Sequence, residues 1–296
     1  MLQPGLRDEQ VKANGLRFHV SAAGSGDRLA LFLHGFPELA YSWRLQLPVL
    51  AEQGWLAWAP DLRGYGASDR PVGREEYALE RLMDDVAGLI DASHARETLL
   101  VGHDWGGVIA WLFALRRLRP LSRLAVMNLP HPACYERALR RGVRQWLRSW
   151  YMLFFQLPWL PEQALGARGA AMIGRAFRDM AVHKENFPDE VLDVYRRAAL
   201  QPGALTAMLN YYRALLSGGG ARRQRSLGYP LIEVPTLVLW GEQDTALGVE
   251  TLGGIEEFVP NLTLHRLPDA SHWVQQDAPE EVNRLLVEWL HSERTG

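Results

Sequence analysis

Cysteine is almost missing from this chain of 296 residues: Cys134 stands alone. A lone thiol excludes an internal disulfide, and no Cys/His spacing of the zinc-binding kind accompanies it. An excess of one charge is missing too. With 32 Lys and Arg against 34 Asp and Glu, the formal net charge is -2, so the chain as a whole carries no electrostatic footprint for nucleic acid or an anionic membrane. The arginine-rich stretch from Arg137 to Arg148 is interleaved with Leu, Val and Trp and reads as the solvated side of a helix rather than a polyanion site. No uncharged apolar run approaches the ~20 residues of a membrane span. Met1 to Gln10 is polar without an apolar centre, so no signal peptide is expected, and a cytoplasmic protein is the expectation. Internal repeats and low-complexity tracts are absent.

What the chain has is alternation. Residues 9–13 and 16–22 flank Asn14-Gly15, a hairpin signal, and 24–27 form a second turn. Short apolar runs at 29–33, 55–59, 98–101, 123–128, 235–241 and 262–267 read as strands. Helical spacing marks 79–90, 249–258 and 279–289, the last with Pro at its first turn. Between 133 and 229 the pattern is helical throughout and rich in aromatics, ending in Gly218-Gly219-Gly220, which reads as a flexible exit. Strands alternating with helices predict a mostly parallel, doubly wound α/β sheet. The helical stretch predicts an inserted cap, dividing the chain into 1–130, 131–228 and 229–296. The Gly-rich loop around Gly64-Tyr65-Gly66 lacks the lysine of a phosphate-binding loop.

The chain is organised around Gly102-His103-Asp104-Trp105-Gly106. An apolar strand leads in and an apolar helix leads out, with glycines on both sides of the central residue. This is the pattern of a nucleophile elbow, which normally carries serine. A carboxylate that attacks a saturated carbon leaves an ester, which water can split; a serine would leave an ether. Aspartate at this position therefore points to epoxide opening or halide displacement, followed by hydrolysis. The local pattern alone also allows Asp104 as a plain N-cap. His34-Gly35-Phe36-Pro37, after the third strand, is where such folds supply half of an oxyanion hole. The Phe36 backbone N–H is the candidate donor, with that of Trp105 as its partner.

Hydrolysis of the ester needs a histidine to activate water and an acid to orient it. In this fold the order along the chain is nucleophile, acid, histidine. His265 falls within a strand and His291 on the terminal helix. His272 falls just past the last strand, at the sheet edge where ligands bind, and is the candidate base. The acid follows the strand at 235–241: Asp244, with Glu242 as runner-up. Asn128, after the strand before, cannot do an acid's work.

With these residues in place the sequence resembles the α/β-hydrolase-fold epoxide hydrolases. The match runs through His34-Gly35-Phe36-Pro37, Gly64-Tyr65-Gly66, the Asp104 elbow, Asp244, and His272-Trp273 followed by Gln275-Gln276-Asp277. The haloalkane dehalogenases share the Asp elbow and stand as the alternative. An epoxide's leaving alkoxide needs a proton donor, and the resemblance implies two cap tyrosines: Tyr151 and Tyr212, with the adjacent Tyr211 as fallback. A halide needs only N–H donors. Trp105 is one candidate, Phe36 has no side-chain donor, and Trp146, Trp150 and Trp159 keep the dehalogenase reading open. The expected partners are an apolar epoxide and water, with no metal, no organic cofactor and no nucleic acid; a homodimer is the assembly considered. A receptor without catalysis and an ordinary esterase are further readings.

Overall fold

The first turn sets one edge of the sheet. In the computed structural model of the chain, which describes residues 5–141 and 144–292, Asn14 and Gly15 both take positive φ, 48° and 76°. That backbone suits a two-residue hairpin. It folds β1 (Arg7–Ala13) antiparallel onto β2 (Leu16–Ala23). Residues 1–4 of the polar N-terminal stretch and 142–143 of the arginine-rich stretch lie outside the described residues.

Beyond this hairpin come β3 (Arg28–Leu33), β4 (Leu56–Pro60), β5 (Glu97–His103), β6 (Arg123–Met127), β7 (Thr236–Gly241) and β8 (Leu262–Leu267). The sheet order is β1-β2-β4-β3-β5-β6-β7-β8. The β2–β4 pair is antiparallel; from β4 to β8 every pair is parallel. Side chains alternate between two cores, as the strand period of two requires. Leu29, Leu31, Leu33, Leu100, Val126 and Val238 face one core, with α2 (Leu79–Ser93) and α3 (Trp105–Arg116). Ala30, Phe32, Leu99, Val101, Met127 and Leu239 face the other, with α1 (Leu47–Glu52) and the C-terminal helix Pro279–Ser292. The expected doubly wound sheet is the one observed.

Between β6 and β7 the described residues hold no strand. They form α4 (Pro132–Arg141), α5 (Arg144–Arg148), α6 (Trp150–Phe154), α7 (Leu160–Met180), α8 (Asp189–Ala199), α9 (Ala204–Leu215) and α10 (Gly220–Ser226). Leu192, Tyr195, Ala198 and Ala199 make one buried stripe on α8, the face an amphipathic helix turns inward. This segment lies over the carboxyl ends of the strands. The Tyr195 hydroxyl donates to Gln276 (2.7 Å), and Arg70 donates to the Pro202 carbonyl (2.8 Å).

Two expected elements differ. The helix expected at 249–258 is two single turns, Val249–Leu252 and Ile255–Glu257. Gly254 between them sits at φ 79°, which an α-helix cannot include. The flexible exit expected at Gly218–Gly220 is instead the lead into α10. Its side chains are fixed at both sides: Arg223 and Gln224 on Glu80 of α2, and Arg225 on Glu136 of α4.

Candidate active site

β5 ends at His103 and α3 begins at Trp105. The whole reversal falls on Asp104, at φ 47° and ψ -117°. A non-glycine residue reaches such angles only where its surroundings impose them. They do so by crowding. A Cβ at Gly102 would run into the Gly106 carbonyl, one at Gly106 into the Leu33 carbonyl, and one at Gly35 into the Asp104 side chain. Asp104 is thereby held at the start of α3, where the helix dipole favours a negative charge. Its Oδ1 accepts the Phe36 N–H at 2.7 Å. The Trp105 N–H, first in the helix, has no partner within it.

Two further strand ends deliver the base and the acid. His272 lies beyond β8, with Nε2 at 3.8 Å from Asp104 Oδ2. Its Nδ1 donates to Asp244 Oδ2 at 2.7 Å. Asp244 lies beyond β7 and is fixed from all sides. Asn128 Nδ2 donates to Oδ2 at 2.9 Å, and the Ala246 and Leu247 N–H groups donate to Oδ1 at 2.7 and 2.8 Å. Burial pushes the Asp244 carboxyl up, but His272 and these donors together hold it below the usual range. Burial likewise pushes the His272 imidazole down. The charge and hydrogen bond of Asp244, with Asp104 and Glu38 beyond, outweigh this and raise it to about 9. Glu242 pairs instead with Arg266 at 2.6 Å. His291 is exposed on the terminal helix, and His265 is half-buried in β8.

Sequence reasoning missed what stands behind His272. Glu38 is fully buried. Its Oε2 faces the Gly35 N–H (2.8 Å) and His103 Nδ1 (2.7 Å), and its Oε1 accepts from Gln275 (2.8 Å) and Gln276 (2.9 Å). His103 Nε2 donates to the backbone carbonyl of His272 at 2.8 Å. His103 thus bridges the Glu38 carboxyl group and the main chain of His272. The result is a buried hydrogen-bonded Glu38–His103 pair that grips the main chain of His272. Burial alone would raise the Glu38 carboxyl, but His103 and the Gly35 N–H bring it below its ordinary value. Asn128, set aside as an acid, clamps the ends of β6 and β7 by taking the Gly241 N–H (2.8 Å) while holding Asp244. Asp277 accepts the Ser271, Val182 and His183 N–H groups (2.7, 3.2 and 2.8 Å), tying the histidine loop to the end of α7. The available signal was polarity beside apolar runs: Glu38 as a lone carboxylate between Pro37 and Leu39, and Gln275-Gln276-Asp277 as three polar residues in a row.

The helical segment supplies the facing wall. Tyr151 on α6 and Tyr212 on α9 lie with ring centroids 6.0 Å apart and planes at 81°. Tyr212 also packs edge-on against Phe36 (5.4 Å), Trp105 (5.0 Å) and Phe155 (5.0 Å). Burial, and then the charge of Asp104, pushes both hydroxyls well above the ordinary phenol value. Both therefore keep their protons. Tyr211 points elsewhere: its hydroxyl donates to the Arg63 carbonyl at 2.8 Å. Trp146, Trp150 and Trp159 are largely exposed. Among the described residues no group of three His, Cys, Asp or Glu side chains could hold a metal ion. A cleft of about 510 Å³ beside β8, lined by His265, Arg266, Glu281 and Arg284 among others, includes neither Asp104 nor His272. The arrangement offers a carboxylate nucleophile, two protonated phenols opposite it, and a histidine oriented by an acid.

The alpha/beta hydrolase fold family matches residues 31–279. The chain is 38% identical over 290 residues to epoxide hydrolase 4 of Homo sapiens, covering 96% of this chain and 78% of that protein. It is 38% identical over 291 residues to the AB hydrolase superfamily protein YfhM of Bacillus subtilis, covering 98% and 99%. Among solved structures, the Bacillus megaterium epoxide hydrolase in complex with an inhibitor aligns with a TM-score of 0.87 at 33% identity, covering 95% of this chain and 99% of that one.

Proposed function

Because the chain belongs to the epoxide hydrolase family of the α/β-hydrolase fold, we propose that it converts an apolar epoxide to a vicinal diol through an ester on Asp104. The observation that carries this reading is a carboxylate at the elbow with two proton-holding tyrosines opposite it. Residues 131–228 act as the cap over a core formed by 1–130 and 229–296. The enzyme is taken as cytoplasmic and as needing no metal or organic cofactor.

Tyr151 and Tyr212 donate hydrogen bonds to the epoxide oxygen. Asp104 attacks one ring carbon, the carbon–oxygen bond breaks, and one tyrosine gives its proton to the departing alkoxide. Esterification removes the negative charge of Asp104, one of the influences that raise His272. The imidazolium then gives its proton to the tyrosinate and becomes a neutral base. His272, oriented by Asp244, next takes a proton from water as the water oxygen attacks the ester carbonyl. The Phe36 and Trp105 N–H groups hold the resulting oxyanion, each such donor being worth about 3 kcal/mol. Collapse breaks the ester, and the added oxygen's remaining proton goes to the diol. Asp104 and the imidazolium are restored.

A panel of aryl, alkyl and fatty-acid epoxides beside bromoalkanes tests the reading. Diol from epoxides without halide release is expected, and halide release without diol would overturn it. With His272→Gln, intact-protein mass spectrometry is expected to find an adduct of substrate mass on Asp104. The dehalogenase reading has less support, since the three cap tryptophans it leaned on are largely exposed.

A further inference from the structure

Tryptophan in this molecule divides into two populations. Eight of the eleven are 6% exposed or less. The other three, Trp146, Trp150 and Trp159, are 54%, 63% and 65% exposed and lie within one stretch of the cap. Leu147, Leu153, Leu157 and Leu160 are exposed in the same stretch. Trp146 lies on α5, Trp150 and Leu153 on α6 and Leu157 in the turn that follows, so the exposed apolar side chains form a stripe along one continuous segment. The inner side of the same helices carries Gln145, Ser149 and Phe155, all buried, and Tyr151. Monomeric proteins rarely leave so much contiguous apolar surface bare.

Along the chain the charge beside the stripe is mostly basic. From Pro132 to Leu160 there are five arginines and a single acid, Glu136. Arg137 is held by Glu257 at 2.6 Å. Arg140 and Arg148 have distant acids at 3.8 and 3.7 Å. Arg141 and Arg144 are exposed; Arg141 acts at a distance on Glu257, and Arg144 forms no ion pair among the described residues. A second copy seated on this face would bring the two sets of arginines together, a like-charge juxtaposition that interfaces avoid. Phosphate head groups would meet them favourably, and tryptophan is the side chain best suited to the boundary between lipid and water.

We propose that the outer face of α5 and α6, with Trp159 and Leu160, docks on an anionic membrane surface, the indoles and leucines entering the head-group region and Arg140, Arg141 and Arg144 meeting lipid phosphates. The -2 charge of the whole chain conceals this local excess. The docking stands on exposure and charge alone and does not depend on the epoxide reading. Where that reading holds, an apolar substrate dissolved in the bilayer meets the enzyme on the outer side of the helix that carries Tyr151.

The test is flotation of the full chain with phosphatidylcholine vesicles and with phosphatidylcholine vesicles containing phosphatidylglycerol. Binding to the anionic vesicles, lost at high salt, is expected. Each arginine near such a surface strengthens binding by about fivefold, so Arg141→Glu with Arg144→Glu should weaken it by at least about 25-fold. Trp146→Gln, Leu147→Gln and Trp159→Gln together should abolish it. The arginine pair lies on the surface, so it keeps the test decisive if the triple variant does not fold. Failure to float with either vesicle, or equal binding to both, overturns the proposal. So does a wild-type dimer, seen by sedimentation, that the triple variant dissolves, because the occupant is then a second copy.

Discussion

The two walls of the active site are held by different forces. On the sheet side, Asp104, Asp244 and His272 each follow a parallel strand, and hydrogen bonds of 2.7–2.9 Å fix Asp244 and the imidazole on it. On the helical side, Tyr151 and Tyr212 are placed by aromatic edges 5.0–6.0 Å apart. The sheet side sets atoms in register for bond making, through groups whose geometry is directional. The helical side sets rings by packing, which tolerates small shifts. Directional hydrogen bonds hold the first wall and ring packing holds the second.

The sharpest way to break the contrast is at the elbow. Asp104→Ser should lower diol formation by about 10⁴-fold or more, since a serine ether would not turn over; full retention by a purified variant would reduce Asp104 to a helix cap. Next is the facing wall. Tyr151→Phe with Tyr212→Phe should slow epoxide opening in single-turnover experiments by about 10²-fold or more. Tyr211→Phe, which only frees the Arg63 carbonyl, should leave opening intact and cost about 1 kcal/mol of stability. Glu38→Gln should act on the sheet wall as a stability change. Breaking a buried pair costs about 3–5 kcal/mol, visible as a lower denaturant midpoint. The smallest effect is on pH. The folded His272 lies at about 9, above its ordinary 6.5. Its stabilisation is therefore complete below about 6.5 and fades as pH rises through about 9. The melting temperature of wild type relative to His272→Gln should fall across that window, and a constant difference would contradict the ion pairing.

Legibility in the sequence followed the same division. The strands, the elbow and the order of nucleophile, acid and histidine are local or ordered along the chain. A glycine on each side of Asp104 and an aspartate past an apolar run were enough to point at them. The helical wall was less legible. On α9, Ala207, Met208, Tyr211 and Tyr212 are all buried, because the helix is packed on more than one side, so no polar face separates Tyr211 from Tyr212. The Glu38–His103 pair joins residues 65 positions apart, and no local pattern announces a tertiary contact of that kind. The split at Gly253-Gly254 was a local signal that the apolar spacing around it masked.

The crowding around residue 104 has a consequence for descent. The prohibition falls on its neighbours, since a single methyl group at positions 35, 102 or 106 would collide with the main chain or with the nucleophile. Position 104 itself carries a side chain despite its positive φ, and that side chain takes the Phe36 N–H. Side-chain change is therefore excluded at the three glycines by space alone.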